Sequence, residues 1–400
     1  MAVKRAAGRV VAAAVLGGAL VLTTACSSSG GGSSSTGSGK QEEQKKSQAV
    51  VSIEPANGAT KVKPSGALKV AVANGKLTAV KVTGKDGKEV PGTLTADGLG
   101  WTPSQNLAVS TEYKVSAQAA DASGVATTAE STFTTLTPTK GASPYDNIAD
   151  GQTYGVGMIV SLSFKKAVEN KAAVEKAVTF ETSDGTVLKP HWFGSNRVDF
   201  RPEQFWKPQT KVTVHYKLKS VEVAKDVYGE VDSDQTFTIG RSRVSVADAA
   251  SHQMVVKEDG KPDATIPISA GATSPASQNT FNGTMVVMAK EGTTVMDSST
   301  VVNHEGPAYK VEMPHALRLT PTGTYVHGKY APGVFGRTNT SHGCIGLEDT
   351  SGKDGSDGSS AGRFYAAAIV GDPVTVQNSV GQQVRPDNGM SGWNISWDKW

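Results

Sequence analysis

Trp101–Val115 reads WTPSQNLAVSTEYKV, and the same pattern returns 99 residues later in Phe200–Val214, which reads FRPEQFWKPQTKVTV. Each stretch places an aromatic-x-Pro turn before a strand of alternating apolar residues. Later strands match as well, since Ser131–Thr135 reads STFTT and Gln235–Ile239 reads QTFTI. Such self-similarity indicates one structural unit used twice.

Each copy has the marks of a β-sandwich. Short alternating runs such as Leu68–Val72 end at turn dipeptides such as Asn74-Gly75. Several short strands at close spacing predict a sandwich. We therefore predict tandem immunoglobulin-like domains at residues 48–138 and 139–241. Their large aromatic side chains are expected in the core or at its corners: Trp101, Trp192, Phe200, Trp206 and Tyr216.

The pattern changes from residue 242 onwards. Met254–Lys261 predicts a hairpin, Phe364–Val370 is the best helix candidate, and Asp372–Val376 predicts a final strand. We predict a mixed, β-rich domain with one short helix at residues 242–380, and a tail at 381–400 that packs on it. The fold class predicted for the whole chain is mainly β.

The N-terminus is predicted to export and tether the protein. A basic stretch ending at Arg9 precedes an apolar run that is too short for a transmembrane helix and is typical of a signal peptide, residues 1–25. Leu22–Cys26 (LTTAC) resembles a bacterial lipobox, in which Cys26 would carry the lipid. The alternative is a plain signal peptide with an incidental cysteine. Residues 26–47 are rich in Ser and Gly and predict a flexible tether.

The net charge of +3 belongs to the predicted signal peptide. Without Lys4, Arg5 and Arg9, 37 basic residues balance 37 acidic ones. A nucleic-acid-binding protein would need a basic face. We therefore expect no nucleic-acid partner.

Cys344 is the second of only two cysteines. If Cys26 carries lipid, Cys344 has no partner within the chain, and a lone thiol in an exported protein indicates a reactive group. It ends the stretch Ser341–Cys344 (SHGC), in which glycine permits a turn that exposes the thiol. A nearby imidazole can take the thiol proton. Both His342 and His327, which closes a predicted strand, qualify, and the residues alone leave that choice open.

These residues resemble the L,D-transpeptidase family with its YkuD-type catalytic domain. The family motif is His-Gly or His-Ser, a gap of about 15 residues, then Ser/Thr-His-Gly-Cys, and His327-Gly328 and Ser341–Cys344 match it. Thr320–Thr324 matches the turn before the family's His strand. Trp393–Trp400 resembles the tail of actinobacterial members, which also have two immunoglobulin-like domains and a lipid anchor. The resemblance covers nearly the whole chain.

The resemblance implies a role for each residue of the motif. Cys344 would be the nucleophile, and His327 the general base that later protonates the leaving amine. The carbonyl of Gly328 would orient the imidazole, at a position where the family has Ser. Backbone N–H groups of His342, Gly343 and Cys344 resemble the family's oxyanion hole.

A substrate pocket beneath a lid is also implied. Met296–Thr300 and Tyr309 match the family's lid-and-pocket segment, so Tyr309 would contact substrate. The residues implied to bind substrate are Met296, Tyr309, Thr322, Gly323, Gly328, Ser341 and Gly346. Gly346 departs from the family, which usually has Asn or Arg there. A substrate contact is therefore lost or is supplied from elsewhere.

The activity implied is the formation of 3→3 crosslinks between peptidoglycan stem peptides through a cysteine thioester. The protein would work at the outer face of the cytoplasmic membrane, and carbapenem-type β-lactams would inhibit it. An L,D-carboxypeptidase, in which water resolves the same thioester, remains an alternative. A non-catalytic wall-binding lipoprotein is the rival from another class. We expect no cofactor and no metal, because His304 and His315 are interpreted as loop residues without ligand spacing.

Overall fold

The computed structural model describes residues 45–300, 308–350 and 358–400. The predicted signal peptide, the lipid site at Cys26 and the tether up to residue 44 lie outside the described residues. Residues 47–400 form one compact unit. Because this unit is not divided further, the domain boundaries predicted within it stay predictions. In the part of the chain that is described, no helix is long and apolar enough to cross a bilayer.

The first sandwich occupies the start of this unit. Its strands are β1 (Val50–Glu54), β2 (Ala59–Val62), β3 (Lys69–Ala73), β4 (Gly75–Gly84), β5 (Gly92–Leu94), β6 (Gly100–Pro103), β7 (Glu112–Asp121) and β8 (Ala126–Thr135). They form two sheets, with the orders β1-β3-β6-β5 and β2-β8-β7-β4. The pair β2 and β8 is parallel, and the apolar faces of both sheets enclose a common core.

The second sandwich follows directly. Its elements are β9 (Lys140–Ala142), β10 (Tyr145–Asp146), β11 (Gln152–Tyr154), β12 (Val160–Ser163), α1 (Lys171–Ala177), β13 (Val178–Thr182), β14 (Lys189–Phe193), β15 (Arg197–Arg201), β16 (Lys211–Lys217), β17 (Glu222–Ala224), β18 (Val227–Gly229) and β19 (Asp232–Ile239). The main sheets have the orders β10-β12-β15-β14 and β11-β19-β16-β13, and β17-β18-β9 form a small third sheet.

The two sandwiches share one topology. The order β10-β12-β15-β14 repeats β1-β3-β6-β5, and β11-β19-β16-β13 repeats β2-β8-β7-β4, including the parallel pair. The repeated aromatics lie in the equivalent strands β6 and β15. The predicted duplication is thus confirmed. Four of the five predicted core aromatics are at most 4% exposed. The fifth, Trp192, is half-buried and donates its indole N–H to Glu175 Oε1 at 2.6 Å.

The C-terminal domain is built on one large sheet. Its elements are β20 (Arg243–Asp248), β21 (Gln253–Glu258), β22 (Lys261–Ser269), β23 (Gly283–Val286), β24 (Ala289–Asp297), β25 (Lys310–Arg318), β26 (Tyr325–Lys329), β27 (Ile345–Glu348), α2 (Ser360–Ala367) and β28 (Pro373–Gln377), with short 3-10 helices at Ala276–Gln278, Ser298–Thr300 and Gly392–Asn394. The strand order is β23-β28-β20-β21-β22-β27-β26-β25-β24.

The sequence predicted most of these elements, with shifted ends. The hairpin β21–β22 and the last strand β28 are confirmed. The helix begins earlier than predicted because the hydroxyl of Ser359 caps it by accepting the N–H of Gly362 at 2.9 Å. The strand expected to close at His327 continues to Lys329.

The strands β26 and β27 lie side by side in parallel, between β25 and β22. One face of this pair packs on α2 through Ala361 and Phe364, within a core that includes Val326 and Leu347. The opposite face of β26 and β27 carries the side chains of the predicted motif. The sheet therefore holds the motif on a rigid, internally packed support.

The C-terminal tail contacts more than the catalytic domain on which it was predicted to pack. Asn394 bonds to the backbone of Thr284 in that domain. The tail also reaches the second sandwich, where Trp393 donates to the carbonyl of Gly157 and Trp400 to that of Lys189. The tail therefore joins the two domains.

Arg201 of the second sandwich is the centre of this junction. Its guanidinium carbon lies 4.8, 5.3 and 4.3 Å from the ring centroids of Trp393, Trp397 and Trp400. Its Nη2 donates to the carbonyl of Ile395 at 2.7 Å, and the residue is 2% exposed. A buried cation stacked on three rings and bonded to backbone carbonyls fixes the tail in place.

Arg201→Ala should therefore destabilise the junction by about 3 kcal/mol, through lost cation–π contacts and an orphaned carbonyl. Urea unfolding followed by tryptophan fluorescence measures this loss, because three of the six tryptophans lie in the tail. Arg385→Ala is the control, since that tail side chain is 81% exposed and should contribute no more than about 0.5 kcal/mol. Equal unfolding midpoints for the two variants would contradict this account.

Candidate active site

Cys344 lies in a sharp turn that leads into β27. Gly343, just before it, has φ +104°, a conformation that glycine adopts without the strain other residues would meet. The hydroxyl of Ser341 donates to the carbonyl of Cys344 at 2.6 Å, and that of Thr280 reaches the same oxygen at 3.3 Å. The backbone at Cys344 is thus held from two sides.

The thiol of Cys344 is largely buried. It is 7% exposed, and its Sγ donates to the carbonyl of Gly323 at 3.6 Å. Burial raises the pKa of the thiol to about 11, against a smaller opposite effect of the Tyr325 backbone N–H. In the absence of substrate, Cys344 is therefore a neutral thiol at pH 7 and needs a base before it can act as a nucleophile.

His327 lies in the middle of β26 and is 3% exposed. Its Nδ1 is 3.0 Å from the carbonyl of Gly328, which can only accept, so Nδ1 carries the proton and Nε2 has the lone pair. Burial lowers the pKa of His327 to about 4, which outweighs the opposite effect of that hydrogen bond. The imidazole is thus a neutral base with a fixed tautomer.

The strand register relates these two groups. His327 pairs with Gly346, and Val326 with Ile345. Because side chains alternate between the faces of a sheet, Cys344 and His327 project from the same face, at diagonal positions. Gly346, which stands directly opposite His327, has no side chain. Both residues line one pocket of about 210 Å³.

The lid-and-pocket segment closes one side of this pocket. Tyr309 and Met296 line it, and the ring of Tyr309 lies 4.6 Å from that of His342. The start of the segment is tied to its end, since the N–H of Ser298 donates to the carbonyl of Tyr309 and the N–H of Tyr309 to the hydroxyl of Ser298, both at 2.9 Å. Residues 301–307, including His304, lie outside the described residues.

The structure brings most of the predicted residues to the pocket. Its lining includes Met296, Tyr309, His327, Ser341, His342, Cys344 and Gly346. Thr322, Gly323, Gly328 and Gly343 are not among the lining residues. Thr322 instead bonds to Asn388 in the tail, and Gly323 contacts the sulfur through its carbonyl. The predicted substrate contacts of all these residues stay predictions.

Family models match two parts of the chain. A model described as a bacterial Ig domain matches residues 59–222, which include strands of both sandwiches. A model described as an L,D-transpeptidase catalytic domain matches residues 242–388, which include Cys344 and His327.

Relatives match across the sandwiches and the catalytic domain together. L,D-transpeptidase 2 of Mycobacterium tuberculosis is 32% identical over 347 residues, covering 86% of this chain and 82% of that protein. The chain belongs to the L,D-transpeptidase family. L,D-transpeptidase 5 of the same species is 30% identical and covers 88% of this chain and 76% of that protein.

Solved structures of L,D-transpeptidases are also similar in sequence. One, in complex with imipenem, is 30% identical, covers 60% of this chain and all of the other, and has a TM-score of 0.48. L,D-transpeptidase 3 of Mycobacterium tuberculosis, with a faropenem-derived adduct, is 28% identical, covers 60% of this chain and 98% of the other, and has a TM-score of 0.46.

A buried pair behind the motif of this L,D-transpeptidase was missed by the sequence analysis. His315, interpreted there as a loop residue, lies within β25 and is 8% exposed. Its Nδ1 is 2.7 Å from Oδ2 of the fully buried Asp349. Neither residue has a motif spacing that would reveal the pair, because strands distant in sequence bring them together.

Within the described residues, no cluster of His, Cys, Asp or Glu could hold a metal ion.

This pair explains why position 328 is glycine. An added Cβ at Gly328 would overlap Oδ2 of Asp349 and would lie 3.1 Å from Cβ of Ala361. The Asp349 side chain thus occupies the space that a larger residue would need. It packs against the backbone whose carbonyl holds the imidazole of His327.

Gly328→Ala should therefore overpack this site and lower the free energy of unfolding by about 1–3 kcal/mol. It should also slow acylation, since a shift of the 328 carbonyl misplaces the imidazole. Thermal unfolding and the acylation rate test both effects. Gly346→Ala on the facing strand is the control for stability, because its added Cβ would lie at an ordinary 3.4 Å from Phe335 and Ser269. Wild-type stability of Gly328→Ala would refute this explanation.

Proposed function

We propose that this protein is an L,D-transpeptidase that forms 3→3 peptidoglycan crosslinks through a thioester at Cys344. The observation that carries the proposal is the meeting, in one pocket, of the one free thiol among the described residues, at the start of β27, and a tautomer-fixed imidazole on the adjacent strand β26. Membership of the family supports the same chemistry. Carbapenem-type β-lactams should acylate the same thiol.

In the first half-reaction, the Sγ of Cys344 attacks the carbonyl carbon of meso-diaminopimelic acid in a tetrapeptide stem. Nε2 of His327 takes the thiol proton as the C–S bond forms. The C–N bond to the terminal D-Ala then breaks, and the imidazolium returns the proton to the leaving amine. The product is a thioester and free D-Ala.

In the second half-reaction, the side-chain amine of another stem attacks the thioester carbonyl. His327 accepts a proton from the attacking amine and delivers it to the departing sulfur. The neutral resting state of the Cys344 thiol and the His327 imidazole suits this cycle. Each half-reaction begins and ends with Cys344 as a thiol or thioester and with His327 unprotonated at Nε2. Backbone N–H groups of residues 342–344 are proposed to stabilise the oxyanion.

Incubation of the protein with purified tetrapeptide muropeptides tests this proposal, with products identified by mass. A transpeptidase yields crosslinked dimers, and an L,D-carboxypeptidase yields tripeptide alone. No conversion of the muropeptides would favour the non-catalytic wall-binding alternative.

We also propose a lipid anchor at Cys26 on the outer face of the membrane, which rests on the sequence alone.

A further inference from the structure

Lys329 is a charged residue of the pocket to which neither the motif nor the comparisons give a role. It lines the pocket together with His327 and Cys344. It lies two residues beyond His327 on β26, so its side chain leaves the same face of the sheet. Among the described residues that line the pocket, it is the only Lys or Arg, and none is Asp or Glu.

Lys329 forms no ion pair with any residue that the structure describes. The register places it opposite Glu348, which is exposed and forms no ion pair with it. Lys329 itself is half-buried. Its charge also acts on the neighbouring imidazole, where it contributes to the lowered pKa of His327. Within the pocket, where no described carboxylate accompanies it, the ammonium of Lys329 is therefore placed to pair with an anionic ligand.

On the facing strand, Glu348 stands opposite Lys329 but does not line the pocket. Gly346 stands opposite His327, and an added Cβ there would lie 3.4 Å from Cε1 of Phe335. The pocket wall beyond it includes the apolar side chains of Val334, Phe335 and Met313. Lys329, on the strand beside Gly346, is thus the residue that can bind an anion in this part of the pocket.

We propose that Lys329 binds the terminal carboxylate of the residue that leaves the donor stem. This inference rests on the proposed function, because it assumes that His327 protonates the leaving amine. The leaving residue must then lie beside His327, and its carboxylate lies one bond beyond the α-carbon that carries that amine. Lys329 is the cation next along the same strand. A lysine ammonium is a compact point charge suited to a single carboxylate.

Paired donors test the proposal. One is a tetrapeptide stem with a free terminal carboxylate, and the other is the same stem with a terminal carboxamide. Lys329→Met should raise KM for the free acid about tenfold and keep kcat within about twofold of the wild type. For the carboxamide donor, both KM and kcat should be unchanged. Lys329→Arg should keep most of the preference. Lys257→Met, at an exposed lysine on β21, is the control and should match the wild type.

The outcomes separate this inference from the proposed function. Equal effects of Lys329→Met on both donors, or no preference of the wild type for the free acid, would overturn the inference while acylation at Cys344 persists. A third donor, amidated only on the diaminopimelic acid carboxyl, tests whether Lys329 binds that carboxylate instead. If Lys329→Met has no effect on this third donor but still affects the carboxamide of the leaving residue, the assignment to the leaving residue is wrong. If the wild type is not acylated by any donor, both proposals fall.

Discussion

Cys344→Ala is expected to abolish covalent capture of both a carbapenem and a tetrapeptide donor. Cys344 is the one free cysteine in the part of the chain that the structure describes, and it lines the pocket that also contains His327. Alanine removes the sulfur and leaves no nucleophile at that position. Intact-mass measurement after incubation should show the unmodified mass for the variant and a single adduct for the wild type.

The control for this variant is retention of the fold and of the pocket. Because the hydrogen bond from the thiol to the carbonyl of Gly323 is long, 3.6 Å, its loss should leave the thermal midpoint within about 2 °C of the wild type. Unreacted donor should still bind. An adduct on Cys344→Ala would show that another residue is the nucleophile.

His327→Gln should slow acylation by a factor of about 10²–10⁴, the usual contribution of a positioned general base. The loss should be this large because the thiol, with a pKa raised to about 11 by burial, supplies almost no thiolate at pH 7. Stopped-flow or timed mass measurements with a carbapenem give the rate. An acylation rate within threefold of the wild type would remove His327 from the proposed mechanism.

The pH dependence of the wild type checks the same assignment without a mutation. Burial lowers the pKa of His327 to about 4, so the imidazole remains a neutral base from pH 7.5 down to pH 5.5. The acylation rate should therefore be nearly constant over this range. A histidine with an ordinary pKa of about 6.5 would be mostly protonated at pH 5.5 and would lose about tenfold. Such a loss would contradict the buried, neutral state.

Much of the fold could be predicted because short sequence patterns, such as apolar alternation and turn dipeptides, indicate its strands and turns. The repeat of Trp101–Val115 in Phe200–Val214 marked equivalent strands, and the two sandwiches indeed share one strand order. Turn dipeptides and alternation located the hairpin β21–β22. The ends of α2 were less predictable, because the capping hydroxyl of Ser359 lies in a polar stretch that looked like loop.

The candidate site could be predicted only where its residues fall in a compact motif. Cys344 and His342 are neighbours in sequence, and the glycine-bounded turn around them was visible. The His315–Asp349 pair and the position of Lys329 depend on the pairing of β25, β26 and β27, which residue patterns do not specify. The contacts of the tail with Arg201 are likewise long-range.

The most direct test is to trap the acyl-enzyme with a tetrapeptide donor in the absence of an acceptor amine. Acid quenching, proteolysis and mass spectrometry then locate the added mass. We predict the mass of the donor tripeptide on the fragment that contains Cys344, and its removal by hydroxylamine, as expected for a thioester. Release of D-Ala with no such mass on that fragment, or with the mass on another residue, would contradict the account.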